Sequence, residues 1–105
     1  MPMLLKRTFS AWIDRMPGRQ PRLVVTGKAE TPASGWSGTL ARAAPQGANP
    51  KILILEARVT MPNGQTTPKM SQIDLRYEEV PAGDYTHVTV HLDGGEVTLE
   101  VEGAQ

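Results

Sequence analysis

The chain has 105 residues, zero formal net charge and no cysteine; it is the size of one domain and is without a disulfide, a thiolate metal site or a cysteine nucleophile. Leu, Ile, Val and Phe make up about a fifth of it, near the lower limit for folded chains, but the strong net charge that keeps such chains unfolded is missing. The ten glycines and nine prolines are scattered, which excludes a low-complexity chain and suits short strands joined by tight turns.

Residues 1 to 16 carry two patterns. Leu4, Leu5, Phe9, Trp12, Ile13 and Met16 lie on one helical stripe, while Phe9, Ala11 and Ile13 alternate as in a strand, and Pro17-Gly18 ends either. A strand is the expectation because it completes a seven-stranded sandwich; a short helix is the alternative. Met1 to Arg7 holds few apolar residues before Lys6-Arg7, so it lacks the apolar core of a secretory signal. No run approaches membrane-spanning length, and cytoplasmic residence without a membrane partner is expected.

Arg22 to Glu30 alternates as a strand with Leu23 and Val25 inward; Gly27 within it suggests a bulge or the close approach of another backbone. Thr31-Pro32-Ala33-Ser34-Gly35 reads as a turn. Trp36 to Ala43 is a weaker strand with Trp36 and Leu40 on one face and Gly38 between them, and Ala44 to Pro50 is an ordered loop.

Lys51 to Met61 begins with the continuous run Ile52-Leu53-Ile54-Leu55 and continues with Ala57, Val59 and Met61 inward, the pattern of a central strand. Pro62-Asn63-Gly64 ends it. Ser71 to Glu79 places Ile73, Leu75 and Tyr77 on one face. Val80 to Asp84 then turns the chain into a final hairpin, Tyr85 to Glu102. There Val88, Val90 and Leu92 alternate with His87, Thr89 and His91, and Val97, Leu99 and Val101 with Glu96, Thr98, Glu100 and Glu102. Keeping the apolar side chains on one face requires a two-residue loop, Asp93-Gly94 or Gly94-Gly95, with Val90 opposite Val97 or Leu99. These last four strands read as an antiparallel meander.

Charge is uneven along the chain: residues 1 to 50 carry seven Lys or Arg and two Asp or Glu, residues 51 to 105 four and nine. Cross-strand pairing that cancels the two halves is the expectation, with a dipolar surface for association as the alternative.

His87 and His91 are the two histidines. Their spacing suits a shared metal on a helix, but on a strand it separates them by roughly 13 to 14 Å, so no metal is expected. They become solvent-facing residues across from Glu96 and Glu100, or Thr98 and Glu102. Gly35-Trp36-Ser37-Gly38-Thr39 lacks the last glycine and the following helix of a nucleophile elbow, and no phosphate, dinucleotide or calcium loop is present. No catalytic residue and no cofactor is therefore assigned.

The expected architecture is a single all-β domain spanning 1-105, an antiparallel β-sandwich of about seven strands with immunoglobulin-like topology; a small OB-type barrel is the alternative. The expected function is a non-catalytic protein- or peptide-interaction module, with homo-oligomers included. A ligand-binding or catalytic site assembled from loops is the competing class. Nucleic-acid binding through Arg15, Arg19, Arg22 and Lys28 beside a tryptophan is disfavoured by the neutral charge and five aromatics. Candidate binding residues are Trp12, Trp36, Arg19, Arg22, His87 and His91. Both tryptophans are expected in the core, and either, if exposed beside an arginine, becomes an anchor. The last strand and the stretch near Trp36 are the expected sheet edges.

Overall fold

A computed structural model describes residues 2–64, 68–92 and 95–103. Their strands are β1 (Met3–Asp14), β2 (Arg22–Thr31), β3 (Ser37–Arg42), β4 (Ile52–Thr60), β5 (Ser71–Glu79), β6 (His87–Leu92) and β7 (Gly95–Glu100). The first strand settles the ambiguity at residues 1–16 in favour of the strand. The sheets run β1-β2-β5 and β3-β4-β6-β7. They face each other across one core, in which Leu23, Val25, Leu53, Leu55, Leu75, Val88 and Val90 are fully buried. The fold is the expected all-β sandwich.

The meander is corrected. β5 leaves β4 to pair with β2 in the other sheet, and β6 returns to lie parallel to β4. Alternation shows that a strand has one apolar face; it does not tell whether that face is buried beside a sequence neighbour or across the sandwich from it. The pair β4–β6 is also where the sheets differ from the two antiparallel sheets of an immunoglobulin domain.

The final hairpin follows the sequence closely. Val90 lies opposite Val97, Val88 opposite Leu99, and Leu92 opposite Gly95, so the intervening residues are Asp93 and Gly94, which lie outside the described residues. Tyr85, assigned to this strand by its pattern, precedes it. Met61, expected inward, is 68% exposed because β4 ends at Thr60.

Gly27 marks a bulge, the first of the two features expected of it, but the extra residues are on the partner strand, and what approaches Gly27 is a side chain and not a backbone. The ladder from β2 to β5 runs through Gly27 without a break; the irregularity is on its other side, where Lys6, Arg7, Thr8 and Phe9 of β1 stand opposite Gly27 alone. The bulge reconciles two apolar residues of opposite parity, since Leu4 and Phe9 are both buried although five positions apart. Thr8 closes it: its hydroxyl donates to the Leu5 carbonyl at 2.6 Å and accepts from the Lys28 N–H at 2.9 Å. The Phe9 ring then fills the space that a side chain at position 27 would occupy.

The strands β1 and β7 are joined at one end by the residues after β7. Ile13 N–H donates to Glu102 O at 3.0 Å and Glu102 N–H to Ala11 O at 2.9 Å, a parallel bridge between the sheets. On the opposite side, β3 and β5 meet through side chains.

Gln46, in the loop between β3 and β4, acts as a clip. Its Nε2 donates to the carbonyls of Ala43 at 2.7 Å and Ile54 at 2.8 Å, and its Oε1 accepts from the Ile54 N–H at 2.9 Å. The amide thus stands in for backbone where β3 runs out. Replacing Gln46 by Ala is expected to cost about 2 kcal/mol. Gln46→Glu should cost at least as much, because a carboxylate offers the two carbonyls no N–H. Urea denaturation of the three chains checks this, and superimposable curves would show that water replaces the amide without loss.

A candidate interaction edge

The β3 edge is built by a run of neutral residues, Ser37-Gly38-Thr39-Leu40-Ala41, small except for Leu40, ahead of Arg42. Leu40 enters the core. Gly38 permits close packing of the sheets, since a Cβ there would come within 2.8 Å of Ile73 and Leu75 side-chain carbons.

Ala43 N–H donates to Ile54 O at 3.0 Å, which fixes the alternation of the β3–β4 ladder. Ser37, Thr39 and Ala41 turn their backbone groups toward β4, and Gly38, Leu40 and Arg42 turn theirs to the free side. Among the described residues β3 pairs with β4 alone, so these three N–H and C=O pairs form a row without a partner strand, its middle residue Leu40 only 6% exposed.

The other sheet edges carry protection. β5 presents Asp74, Arg76 and Glu78, β7 presents Glu96 and Glu100, and β1 has its bulge, Lys6-Arg7 and the bridge to Glu102. Charged side chains and bulges are the devices by which edges avoid pairing with other chains. From Ser37 to Ala41, β3 has neither. Both β3 and β7 are edges, as the sequence indicated.

At the end of β3 lies a polar cluster without a local sequence signal. Glu79 accepts from Tyr77 at 2.6 Å and Tyr85 at 2.9 Å, and pairs with Arg42 Nη1 at 3.0 Å. The same nitrogen lies 2.9 Å from the Tyr85 hydroxyl. The hydrogen bond to Tyr85, followed by that to Glu79, holds the Arg42 guanidinium above its ordinary value. Burial, with the bond to Glu79, pushes the Tyr77 hydroxyl up to about 12. Burial also raises Tyr85, partly offset by Arg42.

The six candidate residues are dispersed. Trp36 immediately precedes β3 and is half-buried; Trp12 is half-buried on β1 beside Val24 of β2. Neither tryptophan joins the buried core, correcting the expectation for both. In β1 the bulge gives the inward positions to Phe9 and Ala11, and Trp36 lies in the turn before its strand. Arg22 pairs with Glu78 at 3.2 Å, and the hydrogen bond from Arg76, the larger influence, holds the Glu78 carboxyl below its usual range. Arg19 lies exposed in the β1–β2 turn, its N–H donating to Met16 O at 3.2 Å.

His87 lies opposite Glu100 and His91 opposite Glu96, the first of the two alternatives. His91 Nδ1 is 3.3 Å from Glu96 Oε2, and His87 Nδ1 is 2.9 Å from the Thr86 hydroxyl. Among the described residues no three His, Cys, Asp or Glu side chains are grouped to hold a metal ion. An open cleft of about 720 Å³ includes Glu56, Arg58, His91 and Glu96, with Arg58 paired to Glu56 at 3.5 Å.

Part of the charge asymmetry cancels by cross-strand pairing as expected. Arg22–Glu78, Lys28–Asp74 and Arg42–Glu79 each join the basic half to the acidic half. The chain matches no protein-family model, no curated protein and no solved structure.

Proposed function

We propose that the protein is a non-catalytic interaction module that takes an extended segment of a partner as an additional strand on β3. The open backbone row of Gly38, Leu40 and Arg42 carries this reading. An added strand gains main-chain hydrogen bonds from that row, and no charge between Ser37 and Ala41 opposes it. Trp36, half-buried at the start of the edge, offers the incoming segment an aromatic contact.

Amide hydrogen exchange tests the site residue by residue. In the dilute free protein, the N–H groups of Gly38 and Leu40 are expected to exchange faster than those of Thr39 and Ala41, which bond to β4. A bound extended peptide should slow Gly38, Leu40 and Arg42 together. Screening a library of extended peptides for this change is the practical form of the experiment. Protection arising elsewhere, with these three amides unchanged in every complex and at every protein concentration, would remove β3 from consideration.

A further inference from the structure

We infer that the β3 edge recognises a second copy of itself, forming a two-fold symmetric dimer in which two β3 strands pair antiparallel about Leu40. The inference rests on the reading of β3 as a recognition edge and identifies its partner.

The free groups are self-complementary in this register. With Leu40 opposite Leu40 of the other copy, Gly38 falls opposite Arg42 and Arg42 opposite Gly38. All three residues that turn outward in one copy then meet residues that turn outward in the other, so every free N–H from Gly38 to Arg42 gains a carbonyl acceptor. Moving the axis by a single residue, to Thr39 or Ala41, still opposes outward residues but sets Arg42 against Trp36 or Gly38 against Ala44, beyond the ends of β3, so the Leu40 axis alone pairs all three within the strand. The two-fold operation therefore has a natural centre, and isologous pairing closes on itself instead of growing into a filament.

The side chains agree. On the solvent face Thr39 of one copy stands opposite Ala41 of the other, a pair of small neutral residues that brings no like charges together. Arg58 lies beside Thr39 and Glu56 beside Ala41 within each copy. Across the dimer each row consequently runs from the Arg58 of one protomer to the Glu56 of the other, with opposite signs at its ends. The joined sheet contains the four strands of each copy in continuous order. Self-association through β5 or β7 would instead bring strands of mainly charged outer faces together.

The chain has no cysteine, which gives a clean cross-linking experiment. Thr39 and Ala41 of opposite copies form a non-hydrogen-bonded pair, where Cα atoms lie about 4.5 Å apart, within the range a disulfide accepts. Chains carrying Thr39→Cys and Ala41→Cys are mixed under mild oxidation. The expected product is the mixed disulfide dimer, several-fold over either self-linked dimer, whose cysteines are offset along the strand. Sedimentation of the unmodified protein from about 10 µM to about 1 mM should show a rise toward twice the monomer mass. Combining Thr39→Lys and Ala41→Lys should abolish that rise while leaving the circular dichroism spectrum unchanged.

Monomeric behaviour throughout that range overturns the inference. So does a dimer that cross-links without preference for the mixed pair, or one that survives the two lysines. Failure of the dimer leaves the proposed edge standing if a foreign extended peptide still protects Gly38, Leu40 and Arg42, and both fall together if nothing protects them.

Discussion

Replacing Gly27 by alanine is expected to destabilise the fold by about 3 kcal/mol, more than an ordinary strand substitution. The backbone at Gly27 does not have the positive φ found at five other glycines, so alanine meets no conformational penalty there and the effect is one of space. An added Cβ would overlap the Phe9 ring. The ring is enclosed by the core and belongs to a strand segment whose path is fixed by the Thr8 hydrogen bonds. Relief requires Phe9 to leave the core, at a cost approaching the roughly 3 to 5 kcal/mol of deleting a buried Phe, or the β1 bulge to shift. Thermal unfolding should report a fall of roughly 12 to 20 °C for a chain of this size. The double variant Phe9→Ala, Gly27→Ala separates this cause from a general dislike of alanine in the strand. Removing the ring makes room for the new methyl, so the two costs should fall short of additivity by about 1 kcal/mol or more. Strict additivity would show that Phe9 does not demand the glycine.

Glu79→Ala should be the second severe substitution, costing about 3 kcal/mol. The carboxylate is the common acceptor for Tyr77, Tyr85 and Arg42. It joins the edge of one sheet to the edge of the other and to the turn between β5 and β6. Alanine leaves the partly buried tyrosine hydroxyls to find water in a confined site and releases Arg42 to solvent. Glu79→Gln keeps a carbonyl acceptor and should fall between alanine and the native chain.

The same cluster gives an alkaline signature. The Tyr77 hydroxyl is pushed from its ordinary value of 10.0 up to about 12, so the folded chain holds this proton more tightly than the unfolded chain does. Its contribution is complete below about pH 10 and is lost as pH rises through about 12. Tyr85 shifts in the same direction. Urea midpoints measured across this interval should fall more steeply for the native chain than for Tyr77→Phe. Parallel slopes would mean that Tyr77 ionises with equal ease in both states.

Alternation determined much of this protein by itself. It placed Leu23, Val25, Leu75, Val88 and Val90 inward, and in the hairpin it left only two registers; the run Ile52 to Leu55 marked a central strand without telling its two faces apart. Alternation succeeds because strand periodicity is local: a slip of one residue exchanges the buried and solvent faces. The edge near Trp36 was legible for a related reason, since small neutral residues make a short strand without marking it as central.

Tertiary structure decided what depends on residues distant in the chain. Backbone hydrogen bonding is the same for any pair of strands, so β5 could join β2 and β6 could lie parallel to β4 without a local signature. The β1 bulge left a trace in the opposite parity of Leu4 and Phe9, but only Gly27, across the ladder, shows where the extra residues fit. Arg42, Tyr77, Glu79 and Tyr85 are ordinary strand and turn residues until the sheets pack and one carboxylate becomes the acceptor for three donors. Which face of a strand is apolar follows from near neighbours along the chain. Which strands meet, and which edge is left with unpaired backbone, was decided by packing, where burial of both sheets' inner faces has to be satisfied at once.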